Sequence, residues 1–149
     1  MSDFELGNDG PSVILVGIDG SDTSMRAAAY AGGMARRHGA ELIIVYVGST
    51  PQMSSLVPSL AGSVEETLVE VEQELRAEIE KGVARADASL AYRFISVHGD
   101  PYSELTRIAD ETRADAVFVG ASTQAGHRLV GSIAVRLVRA GRWPVTVVP

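Results

Sequence analysis

The sequence predicts an α/β domain built on a five-stranded, mainly parallel sheet with helices on both faces. Five short apolar runs rich in Val, Ile and Leu alternate with stretches of helical spacing. The longest of these runs spans about six or seven residues, suited to a strand buried on both faces and far below the roughly 20 needed to cross a bilayer. The chain has 149 residues, 46% of them apolar, and no cysteine. That is enough for one core without cross-links, and it excludes a disulfide framework, a zinc–thiolate site and a thiol nucleophile.

Each element has its own signal. Residues 1–12 read as a flexible N-terminal arm and 13–149 as the domain. Val13–Ile18 is a β-branched run between Pro11-Ser12 and Asp19-Gly20-Ser21, a buried strand. Asp22–His38 turns helical, with Met25, Ala28, Ala29, Gly32, Met34 and Ala35 on a small-residue face. Ser21 or Asp22 is its N-cap and Gly39 its stop. Leu42–Val47 is the second strand. Gly48–Ser63 carries two prolines and six Ser or Thr residues, a long loop of the kind that is either a lid or disordered. From Val64 to about Ala86, Leu68, Val71, Leu75, Ile79 and Val83 recur at helical spacing, with seven glutamates on the remaining, solvated faces.

Tyr92–Val97 alternates as a third strand, with Tyr92, Phe94 and Ser96 on one face. Pro101 suits the first position of a helix running from Tyr102 to Thr112. Ala116–Gly120 is the fourth strand. Ser132 to about Ala140 is the last helix, stopped by Gly141, and Val145–Val148 is the fifth strand. No repeat or linker divides the chain. Right-handed crossovers leave two common strand orders, 2-1-3-4-5 and 3-2-1-4-5. In both, a ligand binds at the carboxyl ends of the strands where the winding reverses.

Charge narrows the partners. Nineteen acidic residues outnumber thirteen basic ones, for a net charge of −6. That argues against nucleic acid, whose binders gather a basic patch. The exception is local. Arg128, Arg136, Arg139 and Arg142 cluster beyond Asp115, where no further Asp or Glu occurs, and that segment suits a small anion. Between Met1 and Pro11 there is no basic stretch followed by an apolar one, so the expected address is cytoplasmic, with no membrane contact. His38 and His98 read as surface loop residues. Tyr46, Tyr92 and Trp143 read as packing or interface groups.

If the order is 3-2-1-4-5, two loops flank the switch point. Asp19-Gly20-Ser21 follows strand one. Gly120 to Gly131-Ser132 follows strand four and enters a helix N-terminus, where unpaired N–H groups and the helix dipole favour phosphate. Ser132 suits both a capping role and a hydroxyl donated to a phosphate oxygen.

The run Val16-Gly17-Ile18-Asp19-Gly20-Ser21 resembles the opening of universal stress proteins. Leu129-Val130-Gly131-Ser132-Ile133-Ala134 and the ending Ala140-Gly141-Arg142-Trp143-Pro144-Val145-Thr146-Val147-Val148 resemble their close. Gly99-Asp100-Pro101 and Ile43–Val47 fall at matching positions, so the likeness covers Val13 to Pro149. It implies the 3-2-1-4-5 order, a Rossmann-like sheet of the adenine nucleotide α-hydrolase type. It further implies an adenine nucleotide, ATP first, with Mg2+ accompanying the phosphates. The binding residues it points to are Asp19, Val47, Val119, Gly120, Gly131, Ser132 and Ile133. The family's loop has a glycine where this chain has Thr123, and twelve residues between its outer glycines where Gly120 and Gly131 enclose ten. Gly126 is placed to supply the flexibility, and His127 and Arg128 to add charge. Thr123, Gly126 and Arg128 therefore join the candidate site. The resemblance also implies a homodimer formed through the last strand, at Val145 and Val147.

Other chemistries lack their motifs. No Gly-x-Gly-x-x-Gly follows strand one, and the only lysine is Lys81, so neither a dinucleotide fingerprint nor a phosphate-binding Gly-Lys-Ser loop exists. The same lysine count and the lack of an acidic pair at strand one exclude a response-regulator receiver. No serine-hydrolase order, nucleophile elbow or histidine-rich metal spacing occurs, so no catalytic or metal-binding residue is assigned. The expectation is a non-enzymatic nucleotide-binding signalling module with a protein partner, at most a slow ATPase or self-phosphorylating protein. Its alternative is a dimeric interaction protein with a vestigial pocket.

Overall fold

The structure, a computed structural model, describes residues 10–48, 61–86, 90–122 and 131–149. Residues 1–9 of the expected arm and 49–60 of the expected long loop lie outside the described residues. The elements alternate as β1 (Val13–Ile18), α1 (Asp22–His38), β2 (Glu41–Gly48), α2 (Ala61–Arg85), β3 (Tyr92–His98), α3 (Pro101–Glu111), β4 (Ala116–Gly120), α4 (Ser132–Ala140) and β5 (Val145–Val148). The sheet order is β3-β2-β1-β4-β5, and every neighbouring pair is parallel. Strand periodicity leaves two orders open; the structure adopts 3-2-1-4-5, the one the family resemblance implies.

Seven boundaries shift. β2 begins at Glu41 and ends at Gly48, and β3 runs on to His98, because parallel pairing continues from Leu42↔Tyr92 to Gly48↔His98. α2 starts at Ala61, so residues 61–63 belong to a helix rather than to the loop, and it stops at Arg85. α3 runs one residue earlier than expected at each end, since Asp100 caps it and Pro101 is its first residue. His38 and His98, expected in loops, are the exposed last residues of α1 and β3.

Two apolar layers sandwich the sheet. On one face Ala27, Ala28, Ala31 and Ala35 of α1 and Leu75 and Ile79 of α2 cover Ile14, Val16, Ile18, Leu42, Ile44, Tyr46 and Phe118. On the other, Leu105, Ile108 and Ala109 of α3 and Ala134 and Leu137 of α4 cover Leu15, Ile43, Val45, Val117 and Val119. The alternation of strand side chains sends odd residues of β1 to one layer and even residues to the other. Its unbroken hydrophobicity is therefore the mark of a central strand, and Ile14, Leu15 and Val16 are completely buried. The helix stops foreseen at Gly39 and Gly141 are present as left-handed caps. Asp115, after α3, accepts the N–H groups of Ser12 and Val13 at 2.8 and 2.9 Å and anchors the start of β1.

Candidate functional site

All five strands point their carboxyl ends the same way, and the order reverses between β1 and β4. The β1–α1 turn and the end of β4 lie side by side there, where a ligand site is expected in this topology.

The β1–α1 turn is held by a dense set of short-range bonds. Gly20 adopts φ +87°, a left-handed conformation that glycine takes without steric cost. Ser21 is the N-cap of α1 and accepts the Ser24 N–H. Asp19 accepts the Ser21 N–H at 2.9 Å, and its own N–H donates to Ser24 Oγ at 3.2 Å. The Ser24 hydroxyl in turn donates to the Ser21 carbonyl. Partial burial pushes the Asp19 carboxyl up. Hydrogen bonds from the hydroxyl and N–H of Ser21, with smaller ones from the Ser24 hydroxyl and its own N–H, outweigh that and hold it below the ordinary value. Asp19 is therefore an exposed, ionised acceptor at neutral pH. It shapes the turn, but the cap is Ser21.

The end of β4 is pressed against this turn. A Cβ placed on Gly120 would lie 2.5 Å from the Ser24 nitrogen and the Thr23 carbonyl carbon. No side chain fits there. Thr23, buried to 1% exposure, donates its hydroxyl to the Ala121 carbonyl at 2.6 Å. Helix α1 and strand β4 are thus tied at the switch point by one buried hydrogen bond and one missing Cβ. Thr23 and Ser24 are the positioning residues that sequence reasoning missed. Their signal was a run of hydroxyl residues, Ser21 to Ser24, longer than a single N-cap needs.

Across the site, α4 begins at Gly131, which takes extended backbone angles and makes no side-chain cap. This corrects the capping role offered to Ser132, which is instead the first helical residue. With glycine at the cap, no side chain of the cap residue bonds the leading N–H groups of α4, and its first turn carries no acidic residue. A Cβ on Gly131 would lie 3.1 Å from the Ser122 Cβ, so Ser122 and Gly131 lie side by side. Thr123, Gly126, His127 and Arg128 lie outside the described residues.

The apolar candidates sit in the layers below. Val119 is buried, and Val47, Ile133, Val145 and Val147 are partly buried against the α3–α4 layer. The pair Ile18↔Tyr46 ends the β1–β2 register, so Val47 stands level with Asp19. Tyr46 itself is buried in the other layer. Its hydroxyl is pushed up first by burial, then by the carboxylates of Glu72 and Asp19. Packing roles for Tyr46, Tyr92 and Trp143 are observed.

The C-terminal arginines do not converge as a group. Arg136 lies 3.9 Å over the Tyr102 ring, while Arg142 pairs with Asp110 and stacks on Trp143. Both are engaged by residues of α3 or of the entry to β5. Among the described residues no group of three Asp, Glu or His side chains is placed to hold a metal, and no helix is long and apolar enough to cross a membrane.

Comparison with known proteins agrees with this architecture. The chain is 28% identical to universal stress protein MJ0531 of Methanocaldococcus jannaschii over 138 residues, covering 91% of this chain and 80% of that protein. It is 27% identical to universal stress protein YxiE of Bacillus subtilis over 143 residues, covering 91% and 97%. Its fold matches that of UspA from Lactobacillus plantarum with a TM-score of 0.79 at 26% identity, covering 93% and 97% of the two chains. A universal stress protein solved in complex with cAMP matches with a TM-score of 0.62 at 27% identity, covering 95% and 99%. The sequence profile of the universal stress protein family spans residues 12–149, and the chain belongs to that family as a UspA-like member.

Proposed function

We propose that this chain binds an adenine nucleotide, ATP first among them, at the β1–β4 switch point. Occupancy is then read by a protein partner in a stress response. The observation that carries the reading is the N-terminus of α4: a glycine cap that offers the leading N–H groups no side-chain bond, with no carboxylate in the first turn. Such a terminus favours an anion. Asp19, ionised and acceptor-only, repels phosphate and suits the hydroxyl or amino donors of a nucleoside. The two groups thus divide the site between the two ends of a nucleotide. The cAMP complex of a family member at 27% identity supports an adenine nucleotide as the class. Mg2+ would arrive with the phosphates, since the described residues offer no metal cage. The proposal assigns the chain no reaction beyond slow ATP hydrolysis or self-phosphorylation, and places it in the cytoplasm.

Isothermal titration with ATP, AMP and cAMP tests this. Micromolar binding is expected for at least one of them. Asp19→Ala should weaken it, and Gly131→Val, whose side chain presses on Ser122, should reduce it by about a hundredfold, as expected when phosphate loses its backbone donors. Thermal melting of both variants shows that the fold persists. One observation favours a second reading, an interaction protein with a vestigial pocket: the packing of Gly120 on α1 accounts for that glycine without any phosphate. Absence of heat with all three nucleotides, from a folded chain, would select it.

We further infer a homodimer through β5, an edge strand. The carbonyls of Pro144 and Val148 accept from Val117 and Ala121 of the β4 side. By the alternation of a parallel ladder, the N–H and C=O groups of Val145 and Val147 then face outward. They form a short template for a second copy. Val147→Pro removes an outward donor while sparing the bonds to β4. Sedimentation should show a dimer for the wild type and a monomer for this variant. A wild-type monomer at micromolar concentration would overturn the inference.

A further inference from the structure

Away from the switch point, a cleft of about 670 Å³ opens between α1 and α2. Its floor is Ala28, Gly32, Leu42 and Ile44, and its α2 wall carries Ile79 and Val83. The small residues of α1 produce it. Alanine and glycine cover the sheet closely, while α2 meets the core through the longer side chains of Leu75 and Ile79, so the space between the helix flanks stays unfilled. The volume falls in the range of roughly 300–1,000 Å³ usual for small-molecule sites.

The cleft is polarised along its length. Both helices run antiparallel to the strands, and Met25 and Glu78 share its upper end beside Gly20, Asp22 and Arg26, where two carboxylates outnumber one cation. Seven residues further down, about 10 Å at 1.5 Å per residue, α2 presents Arg85. Lys81 precedes it by one turn, and Arg36 lines the cleft from the last turn of α1. None of the three has an ion pair among the described residues. Lys81 and Arg85 stand at i and i+4, a spacing at which like charges repel. In a chain of net charge −6 whose only lysine is Lys81, three cations without an ion pair among the described residues line the cleft below Glu78 and form a local excess of positive charge.

We propose that this cleft binds a long-chain carboxylate, with its hydrocarbon tail along Ala28, Gly32, Ile79 and Val83. The carboxylate lies among Arg36, Lys81 and Arg85. The run from Met25 to Arg36 is about 16 Å at 1.5 Å per residue, which suits a tail of roughly a dozen methylenes. The site is separate from the nucleotide pocket and does not depend on it.

The test titrates the full chain with dodecanoate below its micelle concentration, alongside dodecanol and dodecyltrimethylammonium. One-to-one binding of dodecanoate is expected, at least about tenfold tighter than either control, as charge complementarity at the rim requires. Ala29→Trp, on the exposed flank of the cleft, should abolish it. The double reversal Arg36→Glu, Arg85→Glu should lose dodecanoate and gain the cationic amphiphile. Melting curves and nucleotide titration of the same variants show that the fold and the other site are intact. No dodecanoate binding, equal binding of all three amphiphiles, or binding indifferent to Ala29→Trp overturns the proposal. So does a change of sedimenting mass in Ala29→Trp, which assigns the cleft to a second copy of the chain.

Discussion

Replacing Gly120 with alanine is expected to lower stability by about 3 kcal/mol, the upper end of the usual cost of overpacking. The added Cβ would sit 2.5 Å from two backbone atoms at the start of α1, and backbone cannot swing aside as a side-chain tip can. Nor can α1 retreat freely, because Thr23 bonds it to Ala121. For a domain of this size the melting temperature should fall by roughly 6–12 °C, at about 2–4 °C per kcal/mol. Gly131→Ala is the control. Its φ of −63° suits any residue, its new Cβ meets only the Ser122 side chain at 3.1 Å, and its cost should stay near or below about 1 kcal/mol. Calorimetry of the two variants separates the roles of the two glycines. A Gly120→Ala protein that melts within about 2 °C of the wild type would mean that the α1–β4 junction yields, and that the switch point is not rigid.

Thr23→Val should cost about 1–3 kcal/mol with little change of shape. Valine fills the same space, so the loss isolates the buried hydroxyl, with its bond to Ala121 and its weaker one with the Ser21 hydroxyl at 3.3 Å. Burial makes the term large: the Ala121 carbonyl loses a donor at a place where water does not readily replace it. The variant also reports on function. If the Thr23–Ala121 bond positions the end of β4, nucleotide affinity should fall along with stability, although Thr23 itself faces the protein interior. Denaturant melts and titration on one preparation measure both. Unchanged stability would show that water or a rotated neighbour takes over the bond.

The comparison of Gly120 with Gly131 also marks how far the site could be read in the sequence. Both glycines were placed correctly at the ends of one loop. Only the structure shows that one is a packing requirement and the other an open helix start. Asp19 was found by its position after β1. Its depressed carboxyl depends on Ser21 and Ser24 folding back onto it, a geometry that a string of polar residues does not specify. The C-terminal arginines looked like one cluster because they are close in sequence. On α4 and the turn after it they point at different neighbours, Tyr102 for one and Asp110 with Trp143 for another.

What the sequence determined by itself is local and periodic. The two-residue and 3.6-residue repeats of apolar side chains, with stops at Gly39 and Gly141 and Pro101 at a helix start, set which segments are strands and helices. Those signals rest on neighbours within about four residues, so one chain read alone contains them. The tertiary structure decided the choice of 3-2-1-4-5 over its relative, the pressing of β4 against α1, the outward face of β5 and the cleft between α1 and α2. Each depends on residues far apart in the chain meeting at a given distance, as Thr23 meets Ala121. Such distances are set by the packing of whole layers, which no short-range pattern encodes.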